Sequence, residues 1–430
     1  MKRKGYFLSI GAGQNQLPLI QACLGIGLEV IAVDRNDTAP GFASASLRIL
    51  ESTHEYRKIY KAVSESPLHT PVLGIGTRSF GKATYSTAFL AEKLKLRYAS
   101  IDSVHTFSDK KILKEVCGKK GIKTPKEIPW TELNAKKKSF PYPWIAKPSQ
   151  GSGKHGVRLI KSDEDASKFF SSVTHSSHKQ SAKGVIKKKV PAKKAGNTKQ
   201  ELPKESWVLE EYITGIECTV LGLVDSHNFH LVGITLNDLT EFPPFLEISH
   251  RLPFSHPELI GEIKMLCSAI TKLTGLKNCP FVAEFRIDRE GELFLLEASP
   301  EVGGEHLADV LVPGYYGYDY FANLVKLLIG AEFTPPTSLL KVSRHKKAQI
   351  HFEVPPKGIS ILKSNAQFVL DSHETVLYEN NLKDPGSRLD TNSGNECRTK
   401  VIGIRSDSNI SEEVWNKSVS ARMRAEFDVR

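Results

Sequence analysis

Apolar residues recur along the chain at two spacings, and each spacing predicts one type of element. Near the N-terminus, a run at 6–10 predicts a strand, the Gly11-Ala12-Gly13 turn follows, and apolar positions at helical spacing precede a second strand at 28–33. A further strand is predicted at 71–75. Strand, turn, helix and strand form a βαβ unit, so residues 1–105 are expected to form an open α/β domain with a parallel sheet.

In the middle of the chain, the pattern of apolar residues predicts a mixture of helices and antiparallel strands. A helix is expected at 109–120, with Ser108 or Asp109 as its N-cap and Gly121 after its end. Later patterns predict strands at 144–147, 156–160, 207–212, 218–224 and 229–236, a helix at 257–274, a hairpin at 281–299 and a helix at 318–329. The Pro335-Pro336 pair indicates a boundary. The fold class is therefore α/β (α+β), with domains at 1–105, 106–334 and 335–430, the last small and β-rich.

Composition is that of a globular protein, with 40% hydrophobic and 25% charged residues and no apolar run long enough for a membrane helix. The net charge of +11 is unevenly distributed, because residues 174–205 hold nine lysines against two glutamates, or +7. This segment predicts a solvated insertion within a small subdomain at 144–212. A nucleic-acid contact is the alternative, and the near balance of charge elsewhere argues against it.

The six cysteines are scattered without metal-type spacing, which predicts buried free thiols in a reducing compartment, the cytoplasm. The N-terminus starts with basic residues, but the short apolar stretch after them breaks at once into the glycine turn, which is not the pattern of a secretion signal. Asp34 follows the turn by about 20 residues, as in dinucleotide sites. The third glycine of that signature is missing, however, so an NAD site is disfavoured.

A glycine-rich segment between two predicted strands is a candidate phosphate site. It contains Gly151, Ser152, Gly153 and Gly156, flanked by Lys147 and Lys154. Glycines let the backbone approach a ligand, and clustered backbone N–H groups with lysines favour anions. The spacing is not that of a Walker A loop. A flexible turn with no ligand remains the alternative.

Acidic residues interrupt several apolar strands. Glu210 and Glu217 do so in the 207–224 region, where a carboxylate is either solvated at an edge or holds a ligand. In the hairpin, pairing Ile287 with Glu292 would place Glu284 one diagonal step from Glu297 on the same face. Two converging carboxylates suit Mg²⁺. The alternatives are exposed glutamates, or a bulge that separates the two acids onto opposite faces.

In this order and spacing, the motifs resemble the ATP-grasp superfamily, specifically its carboxylate–amine ligase branch, which is related to biotin carboxylase and carbamoyl-phosphate synthase. The resemblance covers about residues 6–330 and implies an ATP-grasp fold that binds ATP with Mg²⁺ or Mn²⁺. It implies that Asp109-Lys110 and Ile145-Ala146-Lys147-Pro148 supply phosphate-binding lysines and that the glycine segment is a flap over the phosphates.

The same resemblance implies roles for the acidic residues. Glu210 would accept the adenine amino group, the backbone of Glu211 and Ile213 would contact the ring edge, and Glu217 would bind the ribose hydroxyls. The implied metal ligands are Glu284, Glu297 and Ser299.

The sequence departs from the family pattern after Glu297. The usual ending is close to Glu-x-Asn-Pro-Arg-x-Gly-Gly, whereas this chain has Ser299 for the asparagine and Glu301 for the arginine. A serine hydroxyl ligates Mg²⁺ more weakly, and the family's arginine often steadies the acyl phosphate or the substrate carboxylate. Arg286 or Arg251 are candidates to replace that cation, and Arg286 is taken as a catalytic candidate with Lys110 and Lys147.

The implied activity is ATP-dependent activation of a small-molecule carboxylate as an acyl phosphate and its coupling to an amine, with release of ADP and phosphate. A bicarbonate-using, carboxylase-like reaction and a non-catalytic ATP-binding module remain alternatives. Neither a membrane nor nucleic acid is expected as a partner. The oligomeric state is open, with a homodimer as the common alternative.

Overall fold

The computed structural model describes residues 4–135, 138–151, 153–181, 207–336 and 345–429. Its strands are β1 Tyr6–Ile10, β2 Glu29–Asp34, β3 Leu47–Leu50, β4 Val72–Gly76, β5 Trp144–Pro148, β6 Arg158–Ile160, β7 Trp207–Glu211, β8 Ile216–Val224, β9 Phe229–Leu239, β10 Glu247–Leu252, β11 Cys279–Ile287, β12 Leu293–Ser299, β13 Lys346–Glu353, β14 Ile359–Ser364, β15 Glu374–Asn381, β16 Arg388–Asp390, β17 Lys400–Asp407 and β18 Glu426–Val429. Its helices are α1 Leu17–Gly25, α2 Tyr56–Glu65, α3 Lys82–Leu94, α4 Ile101–Ser108, α5 Lys110–Gly118, α6 Asp163–Ser181, α7 Ile260–Leu273, α8 Val312–Tyr316, α9 Tyr320–Leu328 and α10 Glu412–Arg422. Ser152 and residues 182–205 of the predicted lysine-rich insertion lie outside the described residues.

The N-terminal layer is a four-stranded parallel sheet in the order β3-β2-β1-β4. All five residues of β1 are buried, and its register with β2 runs from Tyr6↔Glu29 to Ile10↔Val33. The turn after β1 requires a glycine, because Gly11 has a φ of +118°. Asp34 accepts the Ala12 N–H at 3.0 Å, so this carboxylate holds the turn. The predicted βαβ unit is confirmed.

A second layer, called the lid below, consists of the antiparallel sheet β6-β5-β7 and helix α6. Trp144 of β5 is fully buried and packs with Ile160, Phe169 and Leu209 in a core separate from the large core of the described residues. The lid therefore has a hydrophobic core of its own.

The main sheet has eight antiparallel strands in the order β12-β11-β8-β9-β10-β13-β17-β15. β10 pairs with β13 from Ser249↔His351 to Leu252↔Ala348, so strands beyond residue 335 continue the sheet that precedes it. A three-stranded sheet, β16-β14-β18, completes the C-terminal part. The predicted domain boundary at 335 stays a prediction, and strands from both sides of it pair within one sheet.

The β11–β12 hairpin corrects the predicted register. Ile287 pairs with Leu293 instead of Glu292, and a bulge follows Phe285↔Leu295. The extra residue in the bulge brings Glu284 directly opposite Glu297. The two carboxylates therefore share one face, as predicted, but as direct rather than diagonal neighbours.

None of the helices in the described parts of the chain is long and apolar enough to cross a membrane. The six cysteines are all buried and free, as the sequence predicts.

Candidate functional site

A cleft of about 670 Å³ lies where the lid, the main sheet and the C-terminal part meet. It brings together most of the residues that the sequence analysis singled out: Lys110, Lys147, Gly151, Gly153, Glu210, Glu211, Ile213, Glu217, Glu284, Arg286, Glu297 and Ser299. Gly156 does not line the cleft; its α-carbon faces the ring of Pro148 at the base of the loop. Ser152 is outside the described residues, so its predicted role is not described further.

The loop from 151 to 156 connects β5 to β6 and needs glycine for its shape. Gly151, Gly153 and Gly156 have φ values of +106°, +72° and +76°. Residues with a side chain are strained at such φ values, so these positions favour glycine. Gly151 and Gly153 line the cleft. The Gly151 carbonyl accepts a hydrogen bond from Lys110 Nζ at 2.8 Å, which ties the loop to the start of α5.

Helix α5 presents Lys110 to the cleft and pairs Lys114 with Glu210, a residue of the cleft lining. Asp109 caps the helix, as predicted, by accepting the Lys111 N–H at 2.8 Å. Lys110 in the first turn pairs with Glu297 at 3.2 Å. One turn later, Lys114 pairs with Glu210. The sequence analysis missed Lys114, although its spacing of four from Lys110 places both on one helix face.

Lys147 of β5 joins the same cluster. Its ammonium pairs with Glu210, whose two carboxylate oxygens are thus both held by lysines in a buried position. Burial, with the charge of Lys110 as the second cause, lowers the pKa of Lys147 to about 8. A buried lysine with this pKa gains from a phosphate neighbour. The predicted contact of Glu210 with adenine stays a prediction.

Lys154, from the glycine loop, reaches three carboxylates. Its Nζ lies 2.8 Å from Glu217, 3.2 Å from Glu247 and 3.9 Å from Glu284. Burial opposes the charged form, but these acids together raise the pKa of Lys154 well above its ordinary value. The lysine therefore stays charged and holds the loop down on the acidic wall.

Glu217 is 2% exposed and also pairs with Arg286 at 2.5 Å. Burial alone would raise the pKa of Glu217, but Lys154 and Arg286 lower it to about 2. Arg286 in addition donates to the Ile213 carbonyl at 3.2 Å. Arg286 is thus fixed beside the acid predicted to bind ribose.

The two predicted metal acids face each other on half-buried positions. Burial raises the pKa of the Glu284 carboxyl, and the carboxylates of Glu217 and Glu297 add to the effect, while Lys154 opposes it. In the structure, lysines compensate both acids. Paired carboxylate oxygens at the floor of an open cleft are the donor set that Mg²⁺ prefers.

Ser299 and Glu301, the two departures from the motif, are bonded to each other. Ser299 Oγ donates to Glu301 at 3.1 Å, and the other Glu301 oxygen accepts the Gly81 N–H at 2.8 Å and the Thr84 hydroxyl at 2.9 Å. Glu301 therefore fastens the main sheet to the start of α3. Its side chain therefore joins the main sheet to the N-terminal layer.

Residues from the C-terminal part complete the cleft, and the sequence analysis did not find them. Arg398 pairs with Glu247 at 2.9 Å and also with Glu305. Asn395 Nδ2 donates to Glu305 at 3.1 Å. His250 contacts the same acid. Arg398 and its neighbours in sequence carry no motif, so only folding reveals that they meet the residues after Gly304.

Arg251, the other candidate for the missing cation, lies elsewhere. It pairs with Asp238 at 2.8 Å and with Glu412 of α10, and it does not line the cleft. The suggestion that Arg251 replaces the motif arginine is therefore wrong.

Residues 140–309, which include the lid, the glycine loop and the facing glutamates, match the family model described as the ATP-grasp domain. The protein contains an ATP-grasp domain. The expected ATP-grasp fold is confirmed, and the solved structures that are similar to this protein cover nearly all of the chain.

Three solved structures illustrate the likeness. An L-amino acid ligase from Bacillus licheniformis has a TM-score of 0.73 at 16% identity, with 100% of both chains covered. A phosphoribosylglycinamide synthetase from Anaerococcus prevotii has a TM-score of 0.68 at 17% identity, covering 99% of this ATP-grasp protein and 100% of the synthetase. The biotin carboxylase domain dimer of the Hydrogenobacter thermophilus 2-oxoglutarate carboxylase, in complex with MgADP and bicarbonate, has a TM-score of 0.67 at 15% identity, covering 98% and 90%. No curated protein matches this ATP-grasp protein in sequence.

Proposed function

We propose that this ATP-grasp protein activates a small-molecule carboxylate as an acyl phosphate and couples it to an amine, releasing ADP and phosphate. The facing pair Glu284 and Glu297, set below a lid that carries Lys147 and Lys154, is the observation that supports this most. Acids for a metal and cations for phosphates in one cleft are what phosphoryl transfer needs, since catalysis there is mainly positioning and charge compensation.

Lys110 and Lys147 are the proposed phosphate ligands. Both are paired with carboxylates in this structure, so an arriving triphosphate would replace Glu297 and Glu210 as their partners. Release of Glu297 would free it for a metal. Glycine-loop backbone from Gly151 and Gly153 would cover the phosphates.

The residues present fit a divalent cation. Glu284 and Glu297 would hold Mg²⁺, or Mn²⁺, with the Ser299 hydroxyl as a third donor once it leaves Glu301. A bound cation would neutralise charge on the phosphate oxygens during transfer. In the same proposal, Glu217 binds the ribose, and Glu210, Glu211 and Ile213 surround the adenine.

The chemistry proceeds in two steps. A carboxylate oxygen of the acid attacks the γ-phosphorus as the bond from that phosphorus to the β-phosphate oxygen breaks, and ADP leaves. The amine nitrogen then attacks the acyl carbon, the bond from that carbon to the phosphate oxygen breaks, and the nitrogen loses a proton. Closing of the lid, which has its own core, would keep water from the acyl phosphate.

Assembly and location are part of the same proposal. The similar biotin carboxylase domain is a dimer, which supports a homodimer here. Six free thiols support a reducing compartment such as the cytoplasm.

The test is ADP release from Mg-ATP against a panel of carboxylic acids, amino acids and bicarbonate. Glu297→Gln is run beside Glu292→Gln, which removes an exposed acid of the same hairpin that pairs with Lys123 away from the cleft. We expect release that needs one acid, grows with an amine, and is lost only in Glu297→Gln.

Other outcomes identify the alternatives. Release stimulated by bicarbonate alone would favour a carboxylase-like reaction. ATP binding without release for every acid would show a nucleotide-binding module and refute the ligase proposal.

A further inference from the structure

An acid substrate brings a second anion into the cleft beyond the phosphates, and the cleft offers few cations to receive it. Lys110, Lys147 and Lys154 are arranged around the facing glutamates and the glycine loop. Arg78 is paired with Asp309 at 2.6 Å and with a backbone carbonyl. The lining of the cleft also includes further acids, among them Glu301 and Glu305.

Arg398 is a further cation in the lining of the cleft. It is 4% exposed, its guanidinium stacks on the Phe352 ring at 3.9 Å, and Glu247 and Glu305 hold its two terminal nitrogens. Its buried Nε has no hydrogen-bond partner among the residues that the structure describes. A buried, unpaired donor is costly, which indicates that a ligand satisfies it.

The two acids that hold Arg398 also accept from other groups. Glu247 is shared with Lys154 at 3.2 Å, and Glu305 is shared with His250 and Asn395. Neither acid is therefore held by Arg398 alone, so each would keep another donor if a ligand carboxylate displaced it from Arg398. Two anchored terminal nitrogens and an aromatic face also fix the plane of the guanidinium, which favours recognition of a planar carboxylate.

We propose that Arg398 binds the carboxylate of the acid substrate and then the acyl phosphate made from it, so that the C-terminal part completes the active site. This assignment rests on the proposed ligase function. It places the cation of the acid subsite on a segment more than 80 residues away from the Glu297 motif in sequence.

Arg286 is the competing candidate, because its Nε is also buried without a partner in the described parts of the chain. Its guanidinium, however, is held by Glu217 and the Ile213 carbonyl. Those are residues of the proposed nucleotide side of the cleft. Variants of both arginines therefore separate the two assignments.

The experiment measures KM for the activating acid and for ATP in Arg398→Gln, Arg398→Lys, Arg286→Gln and Arg251→Gln, with melting temperatures for each. Arg251 is the matched control, since it also bridges two carboxylates but lies outside the cleft. We expect Arg398→Gln to raise the acid KM about tenfold to a hundredfold, with the ATP KM little changed. Arg398→Lys keeps the positive charge but loses the planar guanidinium with its paired N–H donors, so we expect its acid KM to lie between those of the wild type and Arg398→Gln.

Three results would overturn the assignment. The acid KM could be unchanged in Arg398→Gln, it could rise only in Arg286→Gln, or it could rise equally in Arg251→Gln, which would show a structural effect. If Arg398→Gln does not fold, Arg398→Lys must still raise the acid KM. Calorimetry of the wild type with the acid panel, without ATP, tests both proposals together, because binding of no carboxylate and no bicarbonate would refute both. Acid-dependent ADP release with normal kinetics in the Arg398 variants would refute only the role of Arg398.

Discussion

Restoring the family's arginine at position 301 should damage this protein. Glu301 accepts hydrogen bonds from the Gly81 N–H at 2.8 Å, the Thr84 hydroxyl at 2.9 Å and the Ser299 hydroxyl at 3.1 Å. An arginine cannot accept any of them, and it would place a cation against the N-terminus of α3, where the helix dipole is positive.

The magnitude follows from these contacts. Hydrogen bonds to a charged group contribute about 1.5–3 kcal/mol each, bonds that share one side chain are not additive, and the dipole term adds about 0.3–1 kcal/mol. We therefore expect Glu301→Arg to lower the free energy of unfolding by about 3–5 kcal/mol, and Glu301→Gln, which keeps one acceptor, by about 1–2 kcal/mol.

Urea unfolding measures these losses, with Thr84→Val as the partner variant. Thr84→Val alone removes one bond, and combined with Glu301→Arg it should add little, because the bond is already lost. Acid-dependent ADP release is followed in the same proteins. A Glu301→Arg protein as stable as the wild type, and more active, would refute the docking role of Glu301.

Two further predictions concern the C-terminal part. A Cβ on Gly394, whose φ is +70°, would lie 2.3 Å from the Gly153 carbonyl oxygen, whereas one on Gly386, at φ +90°, would meet no atom within 4 Å. Both alanine variants bear backbone strain of about 1–2 kcal/mol. Only Gly394→Ala should also raise the KM for ATP, by about tenfold, because only its Cβ meets the glycine loop. An equal rise in both variants would contradict that contact. Burial raises the pKa of Glu353 to about 7, above its unfolded value, so the stability that Glu353 contributes is complete below pH 4.5 and is lost as pH rises through 7. Glu353→Gln should therefore melt higher than the wild type at pH 8 but not at pH 4.5, and a difference independent of pH would contradict this.

The sequence predicts the parts of this fold whose signals are local. The βαβ unit, the Asp109 cap and the strands around the glycine loop follow from apolar spacing and turn residues within short windows. A shared face for Glu284 and Glu297 was predicted, but from a register that pairs Ile287 with Glu292. In the observed register the two acids share a face because of the bulge, which could not be predicted, since a single extra residue changes the register without changing the pattern.

Long-range partners could not be read from the chain. Arg398 and Glu305 are 93 residues apart, and the residues around Arg398 resemble no motif. Glu301 was recognised as a departure, but its partners, Gly81 and Thr84, lie more than 200 residues earlier. Such contacts depend on how three layers pack, and neither apolar periodicity nor local spacing carries that information.

The central claim is that the acid is activated as an acyl phosphate, and the fate of its carboxylate oxygen tests this most directly. The acid that stimulates ADP release is labelled with a heavy oxygen isotope in both carboxylate oxygens and incubated with Mg-ATP and the amine. Mass spectrometry then measures the released phosphate. The account predicts one heavy oxygen in each phosphate, because the acyl carbon–oxygen bond breaks in the second step. Unlabelled phosphate from labelled acid in ordinary water would mean that water or another group accepts the phosphoryl group, and would contradict the account.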